Sequence, residues 1–276
     1  NQQADESDKA YGLRAANELE DKILELGADN VIGFVAEPVV GATLGAVPST
    51  SGYFQRIREI CDRYGILLIL DEVMCGIGRT GSLFAFEQDG IVGDLVAMAK
   101  GLGAGYQPIG ALMANSRIYQ AIYDGTGFFQ HGHTYLGHAT ACAAALAVQQ
   151  VIKRDRLVRR VQELGTLLRR MLEERFLEHP HVGDIRGRGL FLGLEFVEDR
   201  ANKTPFSYRV GFHQILKNVA MEQGLICYPM GGTIDGRNGS HVLLAPPFIL
   251  DNDQVGEIVD KLAVAIDITV ASVRKA

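Results

Sequence analysis

The chain has 276 residues, 47% of them hydrophobic, and a formal net charge of −6. That is apolar material enough for one large or two ordinary domains, and the acidic balance argues against nucleic acid or an anionic membrane as a partner. The longest apolar stretch, Ala139 to Val148, is too short to span a bilayer, Asn1 to Lys9 is polar and acidic where a leader would be basic and then apolar, and Cys61, Cys75, Cys142 and Cys227 are scattered, so the sequence reads as a cytosolic protein with reduced thiols.

Periodicity predicts a helix over Lys9 to Leu26, with Leu13, Ala16, Leu19, Ile23 and Leu26 on one face and Gly27 as its stop. Val31 to Ala36 follows as a strand and Pro38 to Gly52 as a loop rich in Gly, Pro, Ser and Thr. Tyr53 to Tyr64 carries a helical stripe ending at Gly65, and Ile66 to Leu70 is again a strand, which closes a parallel βαβ unit. Leu95 to Ala99 and Gly110 to Asn115 read as further strands, and Phe128 to Gly137 as an aromatic and histidine-rich loop. Helices follow from Ala139 and over Leu157 to Phe176, with a domain boundary near Lys153. The remainder alternates strands (Leu190 to Phe196, Leu225 to Tyr228, His241 to Leu244) with helices from about Val210 and Asp251.

Two of these apolar runs end in a charged residue: Ile66-Leu67-Leu68-Ile69-Leu70 delivers Asp71, and Leu95-Val96-Ala97-Met98-Ala99 delivers Lys100. Continuous apolar runs read as strands buried on both faces of a parallel sheet, and ligands of such sheets bind beyond the carboxyl ends of the strands. A carboxylate and an amine aimed at one crevice suit a pyridine aldehyde cofactor. The amine can form a Schiff base, and the carboxylate can keep the ring nitrogen protonated. An aspartate in this position also serves as a turn cap, and a lysine is usually solvated. The Gly101, Gly103 and Gly105 that follow leave little bulk around the amine, and burial near another cation would lower the lysine's pKa and keep it a neutral nucleophile. Gly-Leu-Gly-Ala-Gly does not match a dinucleotide fingerprint. His131, His133 and His138 lack the thiolate or carboxylate companions of a zinc site, so no metal is expected.

Glu37-Pro38-Val39-Val40-Gly41, Leu70-Asp71-Glu72-Val73, Gly76-Ile77-Gly78-Arg79-Thr80-Gly81, Ala99-Lys100-Gly101-Leu102-Gly103 and Gly132-His133-Thr134 stand in one order and spacing. In these motifs the chain resembles the class III aminotransferases, in particular the ω-transaminase branch. The resemblance implies an α/β fold-type I transferase dependent on pyridoxal 5'-phosphate. Residues 1–153 would be the large cofactor-binding domain, with a mainly parallel sheet, and 154–276 a smaller α+β C-terminal domain. Lys100 would carry the cofactor, Asp71 would face the ring nitrogen, Val73 would pack on the ring, and Thr134 would bind the cofactor phosphate of the neighbouring subunit in a homodimer with composite sites. Arg79 would be structural.

Members acting on ornithine or γ-aminobutyrate have a gating glutamate where this chain has Ala42, and a glutamine where it has Met74. Arg237 lies near the place of a mobile arginine that amine:pyruvate transaminases use to pair with a substrate carboxylate, although an exposed loop arginine fits the sequence equally well. The implied reaction moves an amino group from a primary amine or ω-amino acid to an oxo-acid such as pyruvate. Alternatives are an aminomutase, decarboxylase or racemase on the same scaffold, or a non-catalytic fragment that dimerises. The family usually carries a further stretch of chain before Val31, with a glycine-serine phosphate turn and a ring-stacking aromatic, so this chain resembles a C-terminal fragment and is expected to bind the cofactor weakly alone.

Overall fold

The structure, a computed structural model, describes residues 2, 3 and 5–274. In chain order the elements are α1 (Asp8–Leu26), β1 (Gly33–Ala36), β2 (Val39–Val40), β3 (Val47–Pro48), α2 (Tyr53–Tyr64), β4 (Leu67–Asp71), β5 (Leu95–Met98), β6 (Ala111–Ala114), α3 (Ser116–Asp124) and α4 (Ala139–Arg154). There follow α5 (Leu157–Phe176), β7 (Val182–Arg188), β8 (Phe191–Phe196), α6 (Phe212–Glu222), β9 (Tyr228–Gly231), β10 (Ser240–Leu244) and α7 (Asn252–Val273). The contacts divide the chain into two compact units, the first formed by Asn1–Pro38, Ser49–Gly78 and Ser82–Asp155, the second by Val39–Pro48, Arg79–Gly81 and Arg156–Ala276.

The first unit is built on a four-stranded sheet in the order β1-β4-β5-β6. β1, β4 and β5 run parallel and β6 antiparallel to β5. α1 starts where the Ser7 hydroxyl accepts from the Ala10 amide at 3.2 Å, and α2 stops at Gly65, whose φ of 67° is the left-handed conformation that glycine adopts at least cost. Phe54, Ile57, Ile60 and Cys61 form the buried stripe of α2 and pack with Leu68, Leu70 and Val96 of the sheet. The apolar runs predicted strands covered on both faces, but burial alternates. Leu68 and Leu70 are buried whereas Leu67, Ile69 and Asp71 are only partly covered, so Asp71 stands on the more open face of β4. The opposite edge strand, β6, is exposed along its whole length.

The second unit contains an antiparallel sheet in the order β7-β8-β10-β9, covered by α5, α6 and α7. Leu168, Phe176, Leu194, Phe212, Val242 and Ile266 lie in its core. α7 opens on a reciprocal cap in which Asp251 accepts from the Gln254 amide at 2.8 Å while the Gln254 side chain accepts from the Asp251 amide at 3.0 Å. The predicted loop from Pro38 to Gly52 contains the two-stranded ribbon of β2 and β3. The strand expected over Leu225 to Tyr228 begins only at Tyr228, because its ladder with β10 runs from Tyr228 to Gly231. None of the four cysteines is bonded to another. Among the described residues no helix is long and apolar enough to cross a membrane, and no cluster of His, Cys, Asp or Glu could hold a metal ion.

Candidate active site

Asp71 is the last residue of β4, paired with Ala97 of β5 in the parallel register. Its Oδ1 accepts from the Val73 amide at 2.9 Å, which turns the chain sharply off the sheet, and Oδ2 has no hydrogen bond among the described residues. The ladder continues one step further through the Glu72 amide, which donates to the Ala97 carbonyl at 2.9 Å.

Glu72 itself is fully buried, and its role is not evident from the sequence. Its two carboxylate oxygens accept from the Ala85 and Phe86 amides, each at 2.9 Å, closing the intervening loop back onto the strand end. Burial pushes the Glu72 carboxyl up, against the lowering effect of those two amides and the Cys75 thiol. Gly76 lies against this carboxylate so closely that a Cβ there would come within 2.9 Å of Glu72 Oε2. The one sequence signal was an acidic residue entering a glycine-rich turn directly after a strand.

Lys100 follows β5 in a short 3-10 turn, Lys100–Leu102, with its backbone in the left-handed region at φ 41°. A non-glycine residue in that conformation is uncommon and needs surrounding structure to hold it. Here the Gly103 amide donates to the Lys100 carbonyl at 3.2 Å, and the Gln149 side chain of α4 donates to the Leu102 carbonyl at 3.0 Å. A Cβ at Gly103 would lie 2.8 Å from Ile109 Cγ2, and one at Gly101 3.3 Å from Ile77 Cβ. The two glycines therefore let the Lys100 turn fold against residues 107–109 and against the turn that follows Asp71. The expectation of a buried lysine is corrected: Lys100 is exposed, because it stands in a glycine-rich turn beyond the end of β5 and not within the sheet. It borders a cleft of about 350 Å³ lined also by Gly105, Gln107, Pro108 and Ile109.

Asp71 and Lys100 thus leave the same ends of neighbouring parallel strands, which lie about 5 Å apart in such a sheet. Val73 sits in the turn beside Asp71 and is partly exposed, as is Met74. Thr134 is not brought to this pair. It is exposed in a turn whose neighbours His133, Tyr135 and His138 line a second cleft of about 400 Å³, and Gln107, Pro108 and Ile109 line both clefts. His138 caps α4, its Nδ1 accepting from the Ala141 amide at 3.4 Å.

The remaining sequence candidates belong to the second unit. Arg79 Nη1 donates to the carbonyls of Leu190 at 3.1 Å and Pro246 at 2.6 Å, and its guanidinium lies 4.5 Å from the centre of the Phe248 ring. Burial brings its pKa down to about 10, which still leaves it charged at neutral pH. The Ala42 carbonyl accepts from His241 Nε2 at 3.0 Å. Arg237 is exposed, as the loop reading had it, and rests on Tyr208, a neighbour not evident from the sequence.

The family described as aminotransferase class-III matches residues 1–266. An uncharacterized aminotransferase of Schizosaccharomyces pombe is 46% identical over 269 residues, 97% of this chain and 58% of that protein. The diaminobutyrate--2-oxoglutarate transaminase of Halomonas elongata is 36% identical over 264 residues, 95% of this chain and 55% of the relative. Among solved structures, the omega transaminase from Pseudomonas jessenii in complex with PMP is similar with a TM-score of 0.89 at 36% identity, over 98% of this chain and 58% of that one. The chain therefore spans little more than half the length of these proteins. Its α/β architecture is that of the fold-type I transaminases. By the match along nearly its whole length, this chain belongs to the class III aminotransferase family.

Proposed function

We propose that the protein is a pyridoxal 5'-phosphate-dependent aminotransferase that moves an amino group from a primary amine or ω-amino acid to an oxo-acid such as pyruvate. The observation that carries this reading is the pair of neighbouring parallel strands ending in Asp71 and Lys100. The residues fit the cofactor. An exposed amine borders an open cleft, glycines leave room around it, and a carboxylate on the adjacent strand keeps Oδ2 uncommitted. The family's dependence on pyridoxal phosphate and the PMP held by the Pseudomonas jessenii enzyme support the same reading.

When bound, the cofactor supplies an electron sink for the charge released as a C–H bond beside the substrate nitrogen breaks. Asp71 Oδ2 would hold the proton on the ring nitrogen, and the Val73 amide on Oδ1 fixes the carboxylate's direction. Lys100 Nζ would hold the cofactor, and the same amine would serve as the base and acid for the proton at the substrate carbon. Val73, partly exposed beside Asp71, would pack on the ring. Residues 1–153 would serve as the cofactor-binding domain and 154–276 as the small domain, a division close to the compact units except that Val39–Pro48 and Arg79–Gly81 group with the second. Thr134 would serve the phosphate of a second copy, a reading that the exposure of Leu112, Phe128, Phe129 and Tyr135 supports. Arg237 takes the acceptor's carboxylate, and Ala42, in place of a gating glutamate, leaves the donor side open to amines without an α-carboxylate.

Borohydride reduction of the intact protein with pyridoxal phosphate, followed by peptide mapping, tests the assignment, and incubation with a primary amine and either pyruvate or 2-oxoglutarate identifies the acceptor. The expected results are label on Lys100 and formation of alanine. Label on any other lysine sinks the site, and exclusive use of 2-oxoglutarate, the co-substrate in the name of the Halomonas relative, overturns the choice of pyruvate.

A further inference from the structure

Backbone strain is concentrated around Lys100. Among the described residues six that are not glycine have a positive φ, and three of them meet here: Lys100 at 41°, Ala104 at 47° and Ile77 at 51°. Ile77 is β-branched, the kind of residue that tolerates this region least, and it is the residue that abuts Gly101. A turn containing Gly101, Gly103 and Gly105 has many alternative backbone paths, so only its surroundings can keep the lysine in this conformation. The turn's own bonds are short in range. The Leu102 amide donates to the Ala99 carbonyl at 2.9 Å, the Gly103 amide to the Lys100 carbonyl at 3.2 Å and the Tyr106 amide to the Gly103 carbonyl at 2.9 Å. Among the described residues one hydrogen bond reaches residues 100–106 from another element: Gln149 Nε2 of α4 donates to the Leu102 carbonyl at 3.0 Å.

The place of Gln149 on its helix is as telling as its bond. The buried side chains of α4 are Ala141, Ala145 and Ile152, and Gln149 stands four residues after Ala145 and three before Ile152, on the same face. A polar side chain on an inward, otherwise apolar stripe needs a partner, and the Leu102 carbonyl is the one it has. We propose that Gln149 is a positioning residue for Lys100: from the inward face of α4 it clamps the Leu102 carbonyl and so holds the lysine, in its left-handed conformation, at the cleft of about 350 Å³. The consequence for amino transfer rests on the aminotransferase reading above. The clamp on the turn does not.

The test compares the intact protein with Gln149→Met, which keeps the length of the side chain and loses the donor, and Gln149→Glu, whose ionised carboxylate keeps the shape and repels the carbonyl. Gln149 is half-buried, and circular dichroism checks that both variants fold. The first measurement needs no cofactor: amide hydrogen exchange at Leu102 and Gly103, which close the turn, with Ala145 and Ile152 of α4 as controls. Exchange at Leu102 and Gly103 should be about threefold to tenfold faster in Gln149→Met and faster still in Gln149→Glu, with the two controls unchanged. Titration with pyridoxal phosphate, trapped by borohydride and mapped to Lys100, should then show affinity weakened by a similar factor, and kcat should fall likewise with KM for the amine unchanged. Unchanged exchange at Leu102 and Gly103, or acceleration shared equally by the controls, would overturn the clamp and leave Gln149 a residue of helix packing. Parent-like cofactor affinity and kcat in a variant whose turn exchanges faster would overturn the positioning of Lys100. If the exchange pattern is as expected but no cofactor is trapped on Lys100 of the parent, the clamp stands and the aminotransferase reading fails.

Discussion

Asp71 Oδ1 secures the turn through the Val73 amide, and in the proposed function Oδ2 has a second task at the ring nitrogen. Asp71→Asn can keep the first, since the amide carbonyl still accepts from Val73, but a neutral side chain no longer holds a proton on a ring nitrogen. In the intact enzyme this substitution should leave folding unchanged and lower the rate of amino transfer by about a hundredfold or more, equivalent to at least ~3 kcal/mol of transition-state stabilisation. Steady-state kinetics with matched thermal melts measure both halves, and a variant within threefold of the parent would show that the carboxylate has another task. The positions of Asp71 and Lys100 at the ends of adjacent strands were legible in the sequence because each directly follows an apolar run. Glu72 and Tyr208 were not, because what defines them is a partner far along the chain: Ala85 and Phe86 for the one, Arg237 for the other. No periodicity records such contacts.

At the scale of elements, legibility followed the strength of the local pattern. The α5 stripe of Leu164, Leu168 and Leu172 gives that helix its ends at Leu157 and Phe176, and Asp251 announces the start of α7. β7 escaped notice because Val182-Gly183-Asp184-Ile185-Arg186-Gly187-Arg188 has two glycines and a register shift between Val182 and Asp184 that break its alternation. α3 was missed because it is only nine residues long and buries no side chain, although Ile118, Tyr119, Ile122 and Tyr123 recur at helical spacing and Asn115 caps it by accepting from the Ile118 amide at 3.0 Å. Two helical glycines in the second unit make opposite predictions. A Cβ at Gly165 of α5 would meet the Gly189 backbone at 2.5 Å, with no side chain to yield, so Gly165→Ala should force the helix off the β7–β8 turn and cost about 1–3 kcal/mol. At Gly256 of α7 the nearest atom is the flexible end of Met171, 3.6 Å away, and Gly256→Ala should stabilise by roughly 0.5–1 kcal/mol through helix propensity. Denaturant melts of both variants decide the matter, and shifts of the same sign would mean that packing around one glycine is not as tight, or as loose, as it stands.

Across the molecule, the response to acid depends on the second unit's most buried base. His241 is fully buried in β10, its Nδ1 2.6 Å from the Thr233 hydroxyl and its Nε2 donating to the Ala42 carbonyl, and in the neutral ring Nδ1 accepts from Thr233. Burial is the main cause that brings its pKa down to about 4, against the raising effect of the Ala42 carbonyl, and the nearby Arg186 and His213 depress it further. A base whose folded pKa lies below its free value of about 6.5 binds its proton more readily in the unfolded chain. Its contribution is therefore full above pH 6.5 and is lost progressively as the pH falls toward 4, a loss on the order of 2–3 kcal/mol. His213, also depressed by burial, adds to the slope in the same direction. Because the chain forms two compact units, a global melt can report the wrong one, and hydrogen exchange at the Val242 and Leu243 amides of β10 is the appropriate measurement. Protection there should drop steeply between pH 6.5 and 4.5, after correction for the intrinsic rate. His241→Asn, which cannot take up the proton, should start less stable at pH 7 and lose much less on acidification. An equal slope in parent and variant would assign the acid response to other groups and leave His241 with only a packing role between Ala42 and Thr233.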